Sequence, residues 1–192
     1  VLDPRMTVSL PPHLTSQTAM DAMSHAVESY ISLAKNPLSD SHAAAAISLI
    51  KEHLVHVTKN PGDEKGRLAL AVGANLAGVA FSNAMVGIVH TLGHSVGSVC
   101  HVPHGVCMAI LLPYGLEYNC HKRESAISEL LLFLEGAEVY ARTPAGERAQ
   151  KAVESIRQLN RDLFEATGGK HPRWLKEIRN HEDGALKVSE ER

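Results

Sequence analysis

Val86-Gly87-Ile88-Val89-His90-Thr91-Leu92-Gly93-His94-Ser95-Val96-Gly97-Ser98-Val99-Cys100, then His101-Val102-Pro103-His104 and Gly105-Val106-Cys107-Met108-Ala109-Ile110-Leu111-Leu112, is the stretch on which the fold turns. Two strongly apolar segments, residues 86–100 and 105–119, meet at a short joint that contains a proline. Each is longer than an ordinary strand, and neither alternates apolar with polar residues, so both read as buried helices. Pro113 inside the second should bend it.

The same reading extends outward. Upstream, Thr15 or Ser16 is a candidate cap for a helix running to about residue 34, with Met20, Met23, Val27 and Ile31 at helical spacing and Asn36-Pro37 as its stop. Ser39 and Asp40 are candidate caps for a second helix, ended near Thr58 by Asn60-Pro61-Gly62. Asp63 starts a third through Leu68, Val72, Leu76 and Val79 to Phe81. Gly73 and Gly78 inside it cost about 1 kcal/mol each relative to alanine, which close approach of another helix would explain. Downstream, residues 125–141 form a helix. Thr143-Pro144 then offers a cap and a first-turn proline for another, ending at Gly168-Gly169.

A short helical stretch at residues 174–178 and a polar tail complete the chain, and Ser189-Glu190-Glu191-Arg192 looks like the first turn of a helix cut short. Residues 1–12, with Asp3-Pro4 and Pro11-Pro12, read as an extended connector. The expected fold is all-α, one multi-helix bundle over residues 1–192.

Composition agrees. Aromatics are 4% of the chain, against abundant alanine and leucine, which favours helices over strands. A net charge of −2 provides no basic field for nucleic acid. No apolar run approaches the roughly 20 residues that span a bilayer, and no signal peptide is visible. Cys100, Cys107 and Cys120 are odd in number and lack C-x-x-C spacing, which argues against disulfides or a zinc knuckle and for a reducing compartment, the cytoplasm.

The chemistry lies in the histidines, twelve in 192 residues. Asp21 and His25 share a helix face, as do His90 and His94, and His104 opens a third helix. Such a set can converge between the helices of a bundle. Imidazoles on an apolar face need polar partners, and a shared divalent transition metal with nitrogen and oxygen ligands would supply them. The bland alternatives are a surface Asp–His hydrogen bond and a metal-free bundle with satisfied core histidines. His42, His53 and His56 fall on or near the second helix, and His13, His121, His171 and His181 in loops or at helix ends. His101 is ambiguous. The cysteines read as packing residues, Cys100 and Cys107 lying near the site.

Two longer signatures sharpen this. Asp3-Pro4 is followed by Leu10-Pro11-Pro12 and by Thr18-Ala19-Met20-Asp21-Ala22-Met23-Ser24-His25-Ala26-Val27-Glu28-Ser29-Tyr30. The second runs Ala77-Gly78-Val79-Ala80-Phe81-Ser82-Asn83-Ala84, Gly87-Ile88-Val89-His90, His94, Gly97, Pro103-His104-Gly105, Leu112-Pro113 and Tyr118-Asn119. Together they resemble the iron-containing alcohol dehydrogenase family across roughly residues 1–119, with a looser likeness beyond.

The resemblance implies the helical C-terminal domain of that dehydroquinate synthase-like architecture, with an N-terminal α/β domain binding NAD(P). It carries the metal ligands onto Asp21, His25, His90 and His104. His94 becomes a catalytic residue near the nicotinamide instead of a ligand, and Phe81 stands beside the substrate pocket. Fe²⁺ is the implied metal, with Zn²⁺ or Ni²⁺ as alternatives, and a small alcohol or aldehyde the substrate. A homodimer is the assembly considered; membrane and nucleic-acid partners are not expected. Ser95 departs from the proline that often follows the histidine at position 94.

The chain has no Gly-rich strand–turn–helix for a pyrophosphate, since Gly73, Gly78, Gly87 and Gly93 lie in helical, alanine-rich segments. The cofactor domain is therefore expected before Val1 and further helices after Arg192, and the isolated chain is expected to bind metal yet turn over no substrate. Two alternatives stand beside this: a non-catalytic helical metal-binding or interaction module, and a glycerol dehydrogenase or dehydroquinate synthase on the same architecture. His25 and the Pro103-His104-Gly105 joint favour the iron type.

Overall fold

Pro12 opens the first helix. A proline at the first helical position gives up an N–H that would have no partner there, and its fixed φ suits the helix. Helix α1 therefore runs Pro12–Ile31, three residues ahead of the expected cap at Thr15. Thr15 and Ser16 are buried inside the helix instead, Thr15 accepting a 2.7 Å hydrogen bond from the buried Arg67. The helix also ends earlier than residue 34: Arg123 donates to the carbonyls of Ile31 and Ser32, and the Ser32 hydroxyl donates to Ala84. These long-range bonds satisfy carbonyls at the helix end.

Asn36-Pro37, expected as a stop, is a start. Asn36 accepts from the backbone N–H of Leu38 and Ser39 while Ser39 accepts from Asn36, a reciprocal cap that opens α2 (Pro37–Lys59). Asp63 caps α3 (Glu64–Ala84) as expected. Then follow α4 (Ile88–Cys100), α5 (His104–Arg142) and α6 (Arg148–Ala166), with short 3₁₀ turns at Pro4–Met6, Ala145–Glu147 and Leu175–Glu177.

The two helices expected over residues 105–119 and 125–141 are joined into α5, but Arg123 departs from helical φ/ψ between them, and Gly136 does so again. Thr143 does not cap α6, which begins only after the 3₁₀ turn. The computed structural model describes residues 1–177, and among them there is no strand. The expected turn at 189–192 and His181 lie outside the described residues.

Helix α1 is the axis of the bundle, packed against α2, α3 and α5. Its Met20, Met23, Ala26 and Val27 are fully buried against Ile47, Ile50 and Leu54 of α2 and Met108 and Leu112 of α5, among others. Each large apolar side chain taken out of water contributes about 1.5–3 kcal/mol, so this shared core holds the helices in register. The two interior glycines of α3 differ. A Cβ at Gly73 would sit 2.9 Å from Ile50 Cγ1, whereas one at Gly78 would meet nothing within 4 Å. Close helix approach accounts for Gly73 and not for Gly78. Among the described residues no single helix is long and apolar enough to cross a membrane. The three cysteines are free, Cys100 and Cys107 in the core.

Candidate metal centre

Three helices bring the site together. Asp21 lies one position past the buried Met20 of α1, His90 in the first turn of α4, and His104 at the first residue of α5 after Pro103. Asp21 Oδ1 stands 3.1 Å from His104 Nε2, 3.6 Å from His90 Nε2 and 3.9 Å from His25 Nδ1. Each of Asp21, His90 and His104 offers a ligand atom within 4.8 Å of the other two. His25 lies against this trio without joining it: its ring is sandwiched between Phe81 and His90, with centroids 4.4 Å from each.

Despite the short distances, Asp21 Oδ1 and His90 Nε2 are buried with no hydrogen-bond partner among the described residues. Unpartnered buried polar atoms are costly, and these two, 3.6 Å apart, form a donor pair that a cation would satisfy. The donor set of one carboxylate oxygen and imidazole nitrogens suits a divalent transition metal.

The electrostatics agree with a cation-seeking pocket. Burial acts to raise the Asp21 carboxyl, but His90, His25 and His104 around it outweigh burial and hold it below the usual carboxylate range. Burial lowers His25, more than Asp21 raises it, so its imidazole is neutral at pH 7. His90 goes the other way: burial opposes its charge, yet Asp21 and Glu28 push it up to about 9. Without a metal, a proton on His90 supplies positive charge that the two carboxylates demand.

His94, one turn after His90, is exposed; its ring lies 5.9 Å from that of His90 and 5.1 Å from that of His104, beside the trio. Phe81 is half-buried at the end of α3, stacked on His25. His101 is exposed, ending α4 in the left-handed region at φ 54°. His171 lies in the loop after α6, as expected of it, and is fully buried there against Ser16 and Asn160.

Sequence reasoning passed over Glu28. It is buried, 1% exposed at its side chain, and its carboxylate accepts from His90 Nδ1 at 2.6 Å. The available signal was its place three residues beyond His25 and seven beyond Asp21, on the same stripe of α1.

Known proteins resemble this chain. The family model described as "Fe-containing alcohol dehydrogenase family, C-terminal" matches residues 15–168. Alcohol dehydrogenase 4 of Saccharomyces cerevisiae is 38% identical over 180 residues, covering 93% of this chain and 44% of that protein. The NADPH-dependent butanol dehydrogenase of Clostridium saccharobutylicum is 35% identical over 185 residues, 95% of this chain and 44% of that one. In three dimensions the chain superposes on an alcohol dehydrogenase from Oenococcus oeni with a TM-score of 0.84 at 34% identity, over 91% of this chain and 44% of the other. The chain thus spans less than half the length of these relatives.

Proposed function

Given that this chain belongs to the iron-containing alcohol dehydrogenase family, as its match over residues 15–168 establishes, we propose that it is the metal-binding half of an NAD(P)-dependent enzyme interconverting an alcohol with its aldehyde or ketone. The observation that carries the reading is the pair of buried atoms without partners among the described residues, Asp21 Oδ1 and His90 Nε2, which with His104 place three ligand atoms within 4.8 Å of one another.

Asp21, His90 and His104 would hold the ion, Fe²⁺ by family with Zn²⁺ or Ni²⁺ suited to the same donors; His25, implied as a fourth ligand by the family resemblance, stands beside this trio with Nδ1 3.9 Å from Asp21 Oδ1. Bound there, a divalent ion supplies Lewis-acid stabilisation of negative charge on a substrate oxygen. Phe81, half-buried and stacked on His25, is the aromatic that the family resemblance puts beside the substrate pocket. His94 is exposed and adjoins His90 and His104, so it can carry a proton between the site and solvent. The hydride acceptor is a nicotinamide, which needs a nucleotide-binding unit beyond the helices described; relatives more than twice as long as this chain are in keeping with that. The chain alone then binds one metal and shows negligible NAD(P)-linked turnover.

The test is anaerobic reconstitution with Fe²⁺ or Zn²⁺ followed by elemental analysis. One equivalent per chain is expected, lost in Asp21→Ala and His104→Ala. No retained metal, with both variants behaving like the parent, would remove the reading. Alcohol oxidation by the 192-residue chain alone would overturn its second half.

A further inference from the structure

Three N–H groups converge on a carboxylate that none of the proposed ligands contains. Glu28 Oε2 accepts from His90 Nδ1 at 2.6 Å and from the His90 backbone N–H at 3.3 Å, and Oε1 accepts from the Val89 backbone N–H at 2.7 Å. Both backbone donors belong to the first turn of α4, where N–H groups have no partner within the helix and a negative charge is favoured. The approach is close because residue 87 is glycine: a Cβ there would lie 2.9 Å from Glu28 Oε1. Glu28 sits on α1 with Asp21 and His25, so one helix supplies the site's carboxylate and also grips the histidine that arrives from another.

We propose that Glu28 is the positioning residue of the metal centre. By accepting from Nδ1 it fixes the hydrogen on that nitrogen, leaves Nε2 as the atom aimed at Asp21 and His104, and pins the start of α4 so that the imidazole arrives at the right depth. A hydrogen-bonded carboxylate behind a ligating histidine orients the ring and raises its basicity as a ligand. The proposal rests on the metal-binding reading above and adds a residue that does not itself touch the ion.

Glutamine tests the chemistry at constant shape. Its amide has one oxygen and an NH₂, so it can receive either the Val89 N–H or the His90 ring N–H, and turns a donor toward the other. If the ring yields, His90 takes the tautomer with hydrogen on Nε2 and cannot ligate. The measurement is Co²⁺ and Zn²⁺ affinity of the chain by chelator competition, together with the visible d–d spectrum of the Co²⁺ form, which reports the ligand set directly. Glu28→Gln is expected to weaken binding about 10–100-fold and to change the Co²⁺ spectrum, with the far-UV helical signal retained. Affinity within about threefold of the parent and an unchanged spectrum would overturn the role of Glu28 while leaving the metal reading intact. A parent chain that binds no Co²⁺ or Zn²⁺ would overturn both. Should Glu28→Gln fail to fold, Gly87→Ala replaces it: the added methyl displaces the carboxylate but keeps every donor and acceptor. At least a tenfold loss of affinity is expected, and parental affinity would refute the proposal.

Discussion

Acid should loosen this bundle through a histidine remote from the metal centre. His171 follows the two glycines that end α6 (Gly168 and Gly169, both at positive φ) and is fully buried. Its Nε2–H donates to Asn160 Oδ1 at 3.1 Å, its Nδ1 stands 3.0 Å from Ser16 Oγ, and Asn160 in turn donates to the Ala109 carbonyl at 2.7 Å. The neutral ring thereby ties the segment after α6 to α1, α5 and α6. Burial drives its pKa down to about 4, with only Glu177 acting the other way.

In the unfolded chain the same imidazole titrates near 6.5. Between those values the unfolded state takes up a proton that the folded state refuses, so stability is full above about 6.5, falls as pH drops, and levels off below about 4. At about 1.36 kcal/mol per pH unit the gap amounts to about 3 kcal/mol, most of it lost by pH 4.5. A small domain has roughly 5–15 kcal/mol in total, so the effect is readily measured. The assay is urea unfolding followed by far-UV circular dichroism at pH 7.5 and 4.5, in chelator, for the parent and for His171→Gln, which keeps a donor and an acceptor but does not titrate. The parent should lose about 2–3 kcal/mol more than the variant between the two pH values. Losses equal to within ~0.5 kcal/mol would refute the assignment of acid lability to this ring.

The paired glycines of α3 give opposite expectations. Gly78→Ala, with open space around the new methyl, should stabilise by about 0.5–1 kcal/mol, while Gly73→Ala drives a methyl into the buried Ile50 and should destabilise by about 1 kcal/mol or more, both read as shifts in urea midpoint. Because His90 sits near pKa 9 without metal, an entering divalent ion must displace its proton. Apparent metal affinity should therefore rise up to about tenfold per pH unit from 7 toward 9 and then flatten, with about one proton released at pH 7.5, measurable by calorimetry in buffers of different ionisation enthalpy.

The sequence discloses those parts of the molecule that depend on neighbours along the chain. Asp21 with His25 and His90 with His94 are visible as pairs because four residues make one helical turn, and Asp63 is visible as a cap because its partner is two residues away. What escapes is set by contacts between helices. Asn36-Pro37 reads equally as an end and a beginning until Arg123 is found holding the carbonyls of Ile31 and Ser32. Thr15 looks like a cap until Arg67 is found on it, and Pro12 supplies the start. Glu28, an acid on a helix, reads as a solvated charge unless one knows that α4 ends its approach on it. His25 and His94 show the limit of spacing most plainly: each lies four residues from a member of the trio, yet neither falls within it, His25 stacked between Phe81 and His90 and His94 exposed beside them.

On α1, the residues that face the core and those that serve the site alternate within the same two turns: Met20, Met23 and Val27 on one side, Asp21, His25 and Glu28 on the other. Such a helix is an axle as well as a tool-holder. Turning it by about 10° moves side-chain tips some 5–6 Å from its axis by about 1 Å, enough to spoil a coordination sphere without melting anything. Volume changes beneath α1, as in Met23→Leu, should therefore register first as altered preference among Fe²⁺, Zn²⁺ and Ni²⁺, and only later as a lower melting temperature.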